Sequence, residues 1–210
     1  MILPRPYISY SAATLWEQNK SAFRGKYYGN TPAGGGISSV QMDFGKELAD
    51  MIKDDPENPV VAHIPKYEIR DVGFTVSISG VPVLMFPDTL SIIGTPKFRE
   101  YKSGVEPWDQ KRVDNHMQLK LYSLGIKEQH GGVEDLCYLD WLPTVMTDIT
   151  DGLRINGKQY GVTIQVPRLT GEIISFPCVV TEMERFRARQ WIVQAANEIS
   201  ADYSNYLKNV

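Results

Sequence analysis

Apolar residues are concentrated in the middle of the chain, where their pattern predicts a β-hairpin. Residues 83–93 are almost wholly apolar, residues 94–96 include a glycine and a proline, and residues 97–102 mix aromatic and charged side chains. Glycine and proline interrupt extended segments and favour turns. We therefore expect the two segments to pair as antiparallel strands about this turn.

Two acidic residues and a lysine occupy the predicted hairpin. Successive side chains of a strand point to opposite faces, so Glu100 and Lys102 share one face with Phe98, and the fold-back sets Asp88 level with them. Two neighbouring carboxylates repel each other, and a divalent cation that prefers oxygen ligands, such as Mg²⁺ or Mn²⁺, relieves this repulsion. The alternative is an ordinary salt bridge on a half-exposed hairpin, because short charged patterns also arise by chance.

The chain before the hairpin predicts a long opening helix. Residues 7–28 carry an apolar stripe at helical spacing, and Ser9 or Ser11 is a suitable N-cap. Lys20 and Arg24 fall on other faces of this helix. They are either solvated cations of a packing helix or part of the wall of a DNA groove.

A second helix is predicted over residues 43–53, after a glycine-rich segment, residues 29–41, that we expect to form a flexible loop. Glu47 falls within the apolar side of this helix, so its carboxylate is expected to face inward. A buried carboxylate costs free energy unless a partner neutralises it. Glu47 is therefore either an additional metal ligand or one half of a salt bridge.

The chain after the hairpin predicts a helix with a polar row. Residues 108–127 have the length and composition of a helix, and Asp114, Gln118 and Tyr122 recur at every fourth position. Residues four apart lie on the same side of a helix. The three side chains are therefore expected to stack along one face.

The remaining segments complete a sheet and add a terminal helix. A capping-box pattern from Thr181 to Glu184 predicts a final helix that reaches about Leu207. Glu68 is expected to pair across strands with a lysine or an arginine, and the alternative is a place near the divalent cation. Strands are predicted at residues 66–70, 73–80, 136–141, 161–166 and 172–180.

Composition and charge limit the classes of protein. A chain of 210 residues is expected to form one domain, residues 1–210, and its net charge of −3 means that a nucleic-acid partner would have to be held by local cations. Only Cys137 and Cys178 are present, which excludes a four-cysteine Fe–S cluster and predicts two buried thiols in a reducing compartment. With no stretch long enough to span a bilayer and no signal-peptide pattern, we expect a cytoplasmic protein without a membrane partner.

The charged hairpin resembles the active site of a known superfamily. Pro87-Asp88, followed after eleven residues by Glu100-Tyr101-Lys102, resembles the signature of the PD-(D/E)XK nucleases. Gln118 and Tyr122, about 16 residues further on, resemble the QxxxY element of the RecB-like members. The resemblance extends to most of the chain in the order of its elements.

The chain also departs from that pattern. Gly45 matches the glycine that leads the second helix in RecB-like families, but Ala49 stands at the position often held by histidine. Residues 19–23 lack the cysteine that begins the Fe–S cluster in the RecB and Cas4 groups. The resemblance therefore implies a member without an Fe–S cluster.

The resemblance implies a fold and a function. The fold would be α/β, with a mixed central β-sheet flanked by helices and a restriction-endonuclease-like core. The function would be Mg²⁺- or Mn²⁺-dependent hydrolysis of DNA, with one or two ions, by an exonuclease of phage or mobile-element recombination, repair or replication. DNA, a second copy of the chain or a recombination or replication protein would be its partner. The alternatives are a structure-specific endonuclease and a non-catalytic DNA-binding or assembly module on the same fold.

The resemblance also implies roles for single residues. Asp88 and Glu100 would bind the metal, and Lys102 would orient or deprotonate the attacking water. Further ligands would be the backbone carbonyl of Tyr101 and, as an outer one, Glu47. The residues that would contact nucleic acid are Lys20, Arg24, Gln118 and Tyr122.

Overall fold

Six helices and nine strands make up the part of the chain that the structure, a computed structural model, describes: residues 1–29, 40–155 and 158–209. In chain order these elements are β1 (Ile8–Ser9), α1 (Tyr10–Gln18), α2 (Lys20–Tyr27), α3 (Val40–Asp54), β2 (Ile69–Arg70), β3 (Phe74–Ile78), β4 (Val81–Met85), β5 (Thr89–Ser91), β6 (Lys97–Gly104), α4 (Gln110–Asp114), α5 (Met117–His130), β7 (Leu136–Ile155), β8 (Lys158–Leu169), β9 (Ile174–Val179) and α6 (Glu182–Lys208).

The strands form two curled sheets with helices on their flanks, so the fold is mixed α/β. The smaller sheet has the order β1-β4-β3, with β1 parallel to β4. The larger sheet has the order β2-β5-β6-β7-β8, and β9 also pairs with β7. Within it, β5 and β6 are antiparallel whereas β6 and β7 are parallel. The expected single central sheet is therefore replaced by two.

The predicted hairpin is confirmed, but it is shorter than expected. β5 and β6 pair with Leu90 opposite Phe98. The apolar run before the turn is not one strand, because β4 belongs to the smaller sheet and β5 to the larger. Pro87 lies between them, and a proline has no N–H to donate to a ladder. The change of sheet at this point places Asp88 immediately before β5.

Two predicted helices are each divided in two. Asn19 ends α1, and its side chain accepts a hydrogen bond from the N–H of Ala22 at 2.9 Å, which starts α2. Of the two predicted N-cap candidates, Ser9 and Ser11, it is Ser9 that caps α1. Asn115 and His116 similarly separate α4 from α5.

The second break changes the predicted polar row. Asp114 ends α4, is exposed, and accepts a hydrogen bond from Gln110, so it does not continue the row of Gln118 and Tyr122. The capping box of Thr181 and Glu184 is confirmed at the start of α6. Most of the predicted glycine-rich loop, residues 30–39, lies outside the described residues.

The main core lies between the sheets and the pair α5 and α6. Leu119, Leu121 and Ile126 are buried on α5, and Ile192 and Ala196 are buried on α6. Burial on several sides of α5 fixes the rotation of this helix, because turning it would expose large apolar side chains. This rotation aims its first turn at β6.

The two cysteines lie in the same core. Cys137 of β7 and Cys178 of β9 are opposite each other, buried and free of a disulfide, as predicted. None of the helices in residues 1–29, 40–155 and 158–209 has the length and apolar character needed to cross a membrane.

Candidate active site

Asp88 and β6 are joined by a hydrogen bond to the strand backbone. The Oδ2 atom of Asp88 accepts from the N–H of Tyr101 at 2.6 Å. Thr89 pairs with Arg99 in the ladder, so Asp88 continues the register toward Glu100. The register, together with the repulsion of Asp88 by Glu100, indicates that the two acids are neighbours, as the hairpin pattern predicted.

Glu100 is the most deeply buried acid of this site, with 3% of its side chain exposed. Its Oε1 atom accepts from Lys102 Nζ at 2.7 Å and from Gln118 Nε2 at 2.6 Å. Its Oε2 atom is buried without a hydrogen-bond partner. An unpaired buried carboxylate oxygen costs more than about 1–3 kcal/mol, so this atom is the strongest local indication of a missing positive group.

Lys102 lies on the same face and keeps 27% of its side chain exposed. Its ammonium donates to Glu100 and, at 3.0 Å, to the Oε1 atom of Gln118. Burial alone would lower the pKa of Lys102, but attraction to Glu100 and Asp88 outweighs it and holds the pKa above its usual value. The side chain is therefore a fixed cation beside two acids.

Asp88 is destabilised as an anion. Burial, followed by repulsion from Glu100, raises the pKa of Asp88 well above its ordinary range, although Lys102 and the N–H of Tyr101 act in the opposite direction. The residue is nonetheless only half-buried, so its side chain has a route to solvent. Neighbouring carboxylates whose pKa is shifted by burial and by mutual repulsion are typical of functional sites.

Gln118 links the acid and the lysine through the first turn of α5. A lysine only donates and a carboxylate only accepts, so the amide oxygen faces Lys102 and the amide nitrogen faces Glu100. The same nitrogen donates to the hydroxyl of Tyr122 at 3.0 Å. Gln118 thus holds Glu100 and Lys102, and Tyr122 supports Gln118. The predicted contact of both side chains with a nucleic-acid strand stays a prediction.

The Gln118 bridge gives a prediction about stability. Gln118→Met removes the amide but keeps a similar shape, so it leaves Glu100 and Tyr122 each short of a partner. We expect a loss of about 1–3 kcal/mol in the free energy of unfolding, measured by urea denaturation. Gln190→Met, at an exposed position of α6, is the control and should change stability by less than about 0.5 kcal/mol. Equal stability of the two variants would contradict the bridge.

Glu47 does not face the site, so its predicted inward orientation is wrong. The residue is exposed, and the buried residues of α3 are Leu48 and Ile52. Gly45 and Ala49 line a small cavity of about 70 Å³ that also touches Asp88. The apolar stripe of α3 is centred one residue further along than the sequence pattern indicated. The predicted role of Glu47 as an outer metal ligand stays a prediction.

Gly45 allows α3 to approach β6 closely. A Cβ atom at this position would lie 3.3 Å from the Oγ atom of Ser103. This distance is tighter than ordinary van der Waals contact, so any larger residue at this position would require the Ser103 side chain to shift by a few tenths of an ångström. The close approach encloses the side of Asp88 that faces α3.

Lys20 and Arg24 are occupied by acids of α6. Lys20 Nζ lies 3.2 Å from Glu198, and Arg24 forms a bidentate pair with Asp202 at 2.6 and 2.9 Å. These pairs attach α2 to α6 and neutralise both cations. Their predicted contact with DNA stays a prediction.

Two further predicted side chains have structural partners. The hydroxyl of Tyr101 donates to the carbonyl oxygen of Pro65 at 2.6 Å. Glu68 accepts from the hydroxyl of Ser91 at 2.7 Å and from the N–H of Ile92. The predicted pairing of Glu68 with a lysine or an arginine is therefore wrong. Both contacts fasten the segment before β2 to the hairpin.

Sequence reasoning missed a group of aromatic side chains next to the site. The ring of His116 packs edge-to-face on Tyr10 at 5.8 Å and on Trp108 at 5.1 Å between centroids. Burial, with a smaller effect of Lys102, lowers the pKa of His116 to about 4, and its Nε2 atom is buried without a partner. The only signal in the sequence was its place two residues before Gln118.

The same strand carries a separate ion pair on its other face. Arg99 forms a bidentate contact with the buried Asp140 at 2.6 and 2.7 Å, and Ser175 also bonds to Asp140. This pair joins β6, β7 and β9. Its acid is fully paired, in contrast to Glu100.

Comparisons with known proteins leave the family open. No family model matches the chain, and no curated protein does. A solved structure named "Crystal structure of SSO0001" is similar over 93% of this chain and 77% of that one, with 9% sequence identity and a TM-score of 0.47. A similarity of this size carries no conclusion about family or function.

The donor atoms of the site fit a small, hard cation. Within the described residues no third His, Cys, Asp or Glu joins the two acids in a metal-binding cluster. Mg²⁺ is commonly held by one or two carboxylates while it retains several waters. The N–H and C=O of a residue in an extended strand point to the same side, so the carbonyl of Tyr101 faces the edge where Asp88 lies. The orphaned Oε2 atom of Glu100 completes a set of oxygen donors.

Proposed function

We propose that this protein is a metal-dependent nuclease that hydrolyses DNA, with a core of the PD-(D/E)XK type. The observation that carries the proposal is the hydrogen-bonded pair of Glu100 and Lys102, whose charges also act on Asp88, with one buried oxygen of Glu100 left without a partner. A buried ion pair alone would satisfy that oxygen with hydrogen bonds, as Asp140 is satisfied on the other face of the sheet.

The residues that would hold Mg²⁺ or Mn²⁺ are Asp88, Glu100 and the carbonyl of Tyr101. When bound, the ion would supply Lewis-acid stabilisation of phosphoryl oxygens and a lower pKa for a bound water. The chain itself contributes a positive group on one side of the acids and enclosure by α3 on the other. The surroundings are thereby kept partly dry, which strengthens electrostatic interactions.

Lys102 would position the attacking water and stabilise negative charge that develops on the phosphate. Its contacts with Glu100 and Gln118 use two of the three ammonium hydrogens, which leaves one donor for a ligand. Gln118 and Tyr122 would hold this geometry from α5. The role is one of orientation, since the same contacts keep the lysine charged.

The expected cellular role follows from the resemblance of the hairpin and of the Gln118–Tyr122 pair to RecB-like and phage exonucleases. We infer an exonuclease of phage or mobile-element recombination, repair or replication that works on DNA. The net charge of −3 agrees with a substrate that is held by local cations and by metal ions rather than by the whole surface.

The proposal is tested by incubating the purified protein with linear and closed-circular DNA in Mg²⁺, Mn²⁺ or EDTA. Loss of linear DNA from its ends in either metal, and none in EDTA, is the expected result. Nicking of the closed circles would instead identify a structure-specific endonuclease. Binding without degradation in every metal would identify a non-catalytic module and overturn the proposal.

A further inference from the structure

A shallow hollow lies beside the candidate active site, on the segment that joins β6 to α5. We call it the Trp108 surface, and its residues are Trp108, Asp109, Lys111, Arg112, Asn115 and His116. Its volume of about 540 Å³ falls in the range of about 300–1,000 Å³ that is usual for small-ligand clefts. It therefore has room for one nucleotide.

On the Trp108 surface, a positively charged side chain is stacked on an aromatic ring. The guanidinium of Arg112 lies over the ring of Trp108, 3.9 Å from its centroid. His116 fixes the ring from another direction through its edge-to-face contact. Aromatic rings and guanidinium planes are the groups on which proteins stack unpaired bases.

The Trp108 surface carries two positive side chains that can bind an anion. Lys111 and Arg112 are exposed, and neither forms a salt bridge within residues 1–29, 40–155 and 158–209, whereas Lys20 and Arg24 are both paired with acids. The one acid of the surface, Asp109, is used as the N-cap of α4, where it accepts from the N–H of Arg112 at 2.6 Å. The surface is thus complementary to a phosphate.

The position of the surface connects it to the reacting groups. His116 is followed two residues later by Gln118, which bonds to both Glu100 and Lys102. The His116 ring also packs on Tyr10, so the aromatic wall continues around this side of the site. A strand held on the surface would therefore lie beside the helix turn that contacts Glu100 and Lys102.

We propose that the Trp108 surface is a binding subsite for one unpaired nucleobase and its phosphate, next to the phosphodiester that is cut. The base extends the stack of Trp108 and Arg112, and the phosphate is held by Lys111. This inference rests on the proposed nuclease function. A paired base cannot enter the stack, so the subsite selects single strands or frayed ends over blunt duplexes.

The test measures binding in EDTA, where no cleavage occurs. The probes are a short fluorescein-labelled thymidine oligonucleotide, the same strand with abasic sites, and a blunt duplex of equal length, each titrated by fluorescence anisotropy. Trp108→Ala should weaken binding of the thymidine strand by about fivefold or more, while Trp108→Phe retains most of the affinity. With the abasic strand, wild type and Trp108→Ala should bind alike.

Arg112→Ala provides a second variant in case Trp108→Ala fails to fold. It should weaken binding of the thymidine strand strongly and of the abasic strand slightly, because it removes part of the stack together with one positive charge beside the phosphate that Lys111 holds. The matched controls are Phe186→Ala and Arg187→Ala, an exposed aromatic residue and an exposed cation on α6, which should bind as wild type does. Thermal unfolding confirms that each variant is folded.

The outcomes separate this inference from the proposed function. Normal binding by Trp108→Ala and Arg112→Ala, in a protein whose wild type still degrades DNA with Mg²⁺, would overturn the subsite alone. Equal weakening of the thymidine and abasic strands by Trp108→Ala would also overturn base stacking. Tighter binding of the blunt duplex than of the single strand would contradict selection of unpaired bases. A wild type that neither binds these strands nor cleaves them would overturn both proposals.

Discussion

Lys102→Met should reduce metal-dependent DNA cleavage by about a hundredfold to a thousandfold. The substitution keeps the length of the side chain but removes the ammonium that lies between Glu100 and the amide oxygen of Gln118. Loss of one preorganised donor to a developing negative charge has an effect of this size in other enzymes. The measurement is the initial rate of DNA degradation at saturating Mg²⁺, and Lys102→Ala should show the same loss.

The matched control for this result is Lys127→Met. Lys127 lies on α5 and forms a salt bridge with Glu182 at 2.6 Å, so its substitution also removes a paired lysine. Cleavage by this variant should stay within about twofold of wild type, because surface pairs of this kind contribute little. If Lys102→Met retained full activity after removal of contaminating nuclease, the proposed role of the lysine would be wrong.

Asp88→Asn should make the protein more stable in EDTA and, at the same time, insensitive to Mg²⁺. The substitution removes a charge that is disfavoured by burial and by Glu100, and the amide oxygen can still accept from the N–H of Tyr101. We expect the melting temperature in EDTA to rise by at least about 2 °C, which corresponds to roughly 1 kcal/mol in a chain of this size. Wild type should be stabilised by millimolar Mg²⁺, whereas Asp88→Asn should not.

The same charge gives a pH dependence of defined sign. An unfolded chain has an aspartate pKa of about 4, and the pKa of Asp88 is raised in the folded protein, so the folded state takes up the proton more readily. In EDTA, the destabilising effect of Asp88 is therefore absent below about pH 4, grows as the pH rises from there to the raised pKa, and is constant above it. The difference in stability between Asp88→Asn and wild type should increase over that interval.

The control for both measurements is Asp50→Asn, at an exposed position of α3. Its melting temperature should match that of wild type in EDTA and in Mg²⁺, since isolated surface charges contribute little. Mg²⁺ stabilisation that persists in Asp88→Asn would show that the cation binds elsewhere. A lower stability of Asp88→Asn in EDTA would show that the aspartate is a satisfied structural partner rather than a strained one.

Local patterns in the chain were sufficient to predict the centre of the site. Strand alternation placed Glu100 and Lys102 on one face, and the turn at residues 94–96 set the register that brings Asp88 to them. Helical spacing of four predicted the contact between Gln118 and Tyr122. These relations depend on backbone periodicity and on a short loop, so they need no knowledge of distant contacts.

Features that depend on packing between distant segments could not be predicted in this way. The apolar stripe of α3 is broad, and its buried centre is set by the packing of Leu48 and Ile52 in a core cluster with distant residues, which leaves Glu47 exposed to solvent. The division of residues 83–93 between two sheets likewise depends on strand pairing, because β4 pairs with β1 and β3 whereas β5 pairs with β2 and β6. Long-range pairing is not encoded in local periodicity.

The sequence by itself determined the hairpin, the face shared by Glu100 and Lys102, and the capped terminal helix, because each arises from interactions between residues that are close in the chain. The tertiary structure alone decided that α5 turns Gln118 onto Lys102, that Glu100 keeps one buried oxygen without a partner, and that Trp108 lies beside the site. These features arise where elements far apart in the chain pack together, and the burial of the whole core sets their positions.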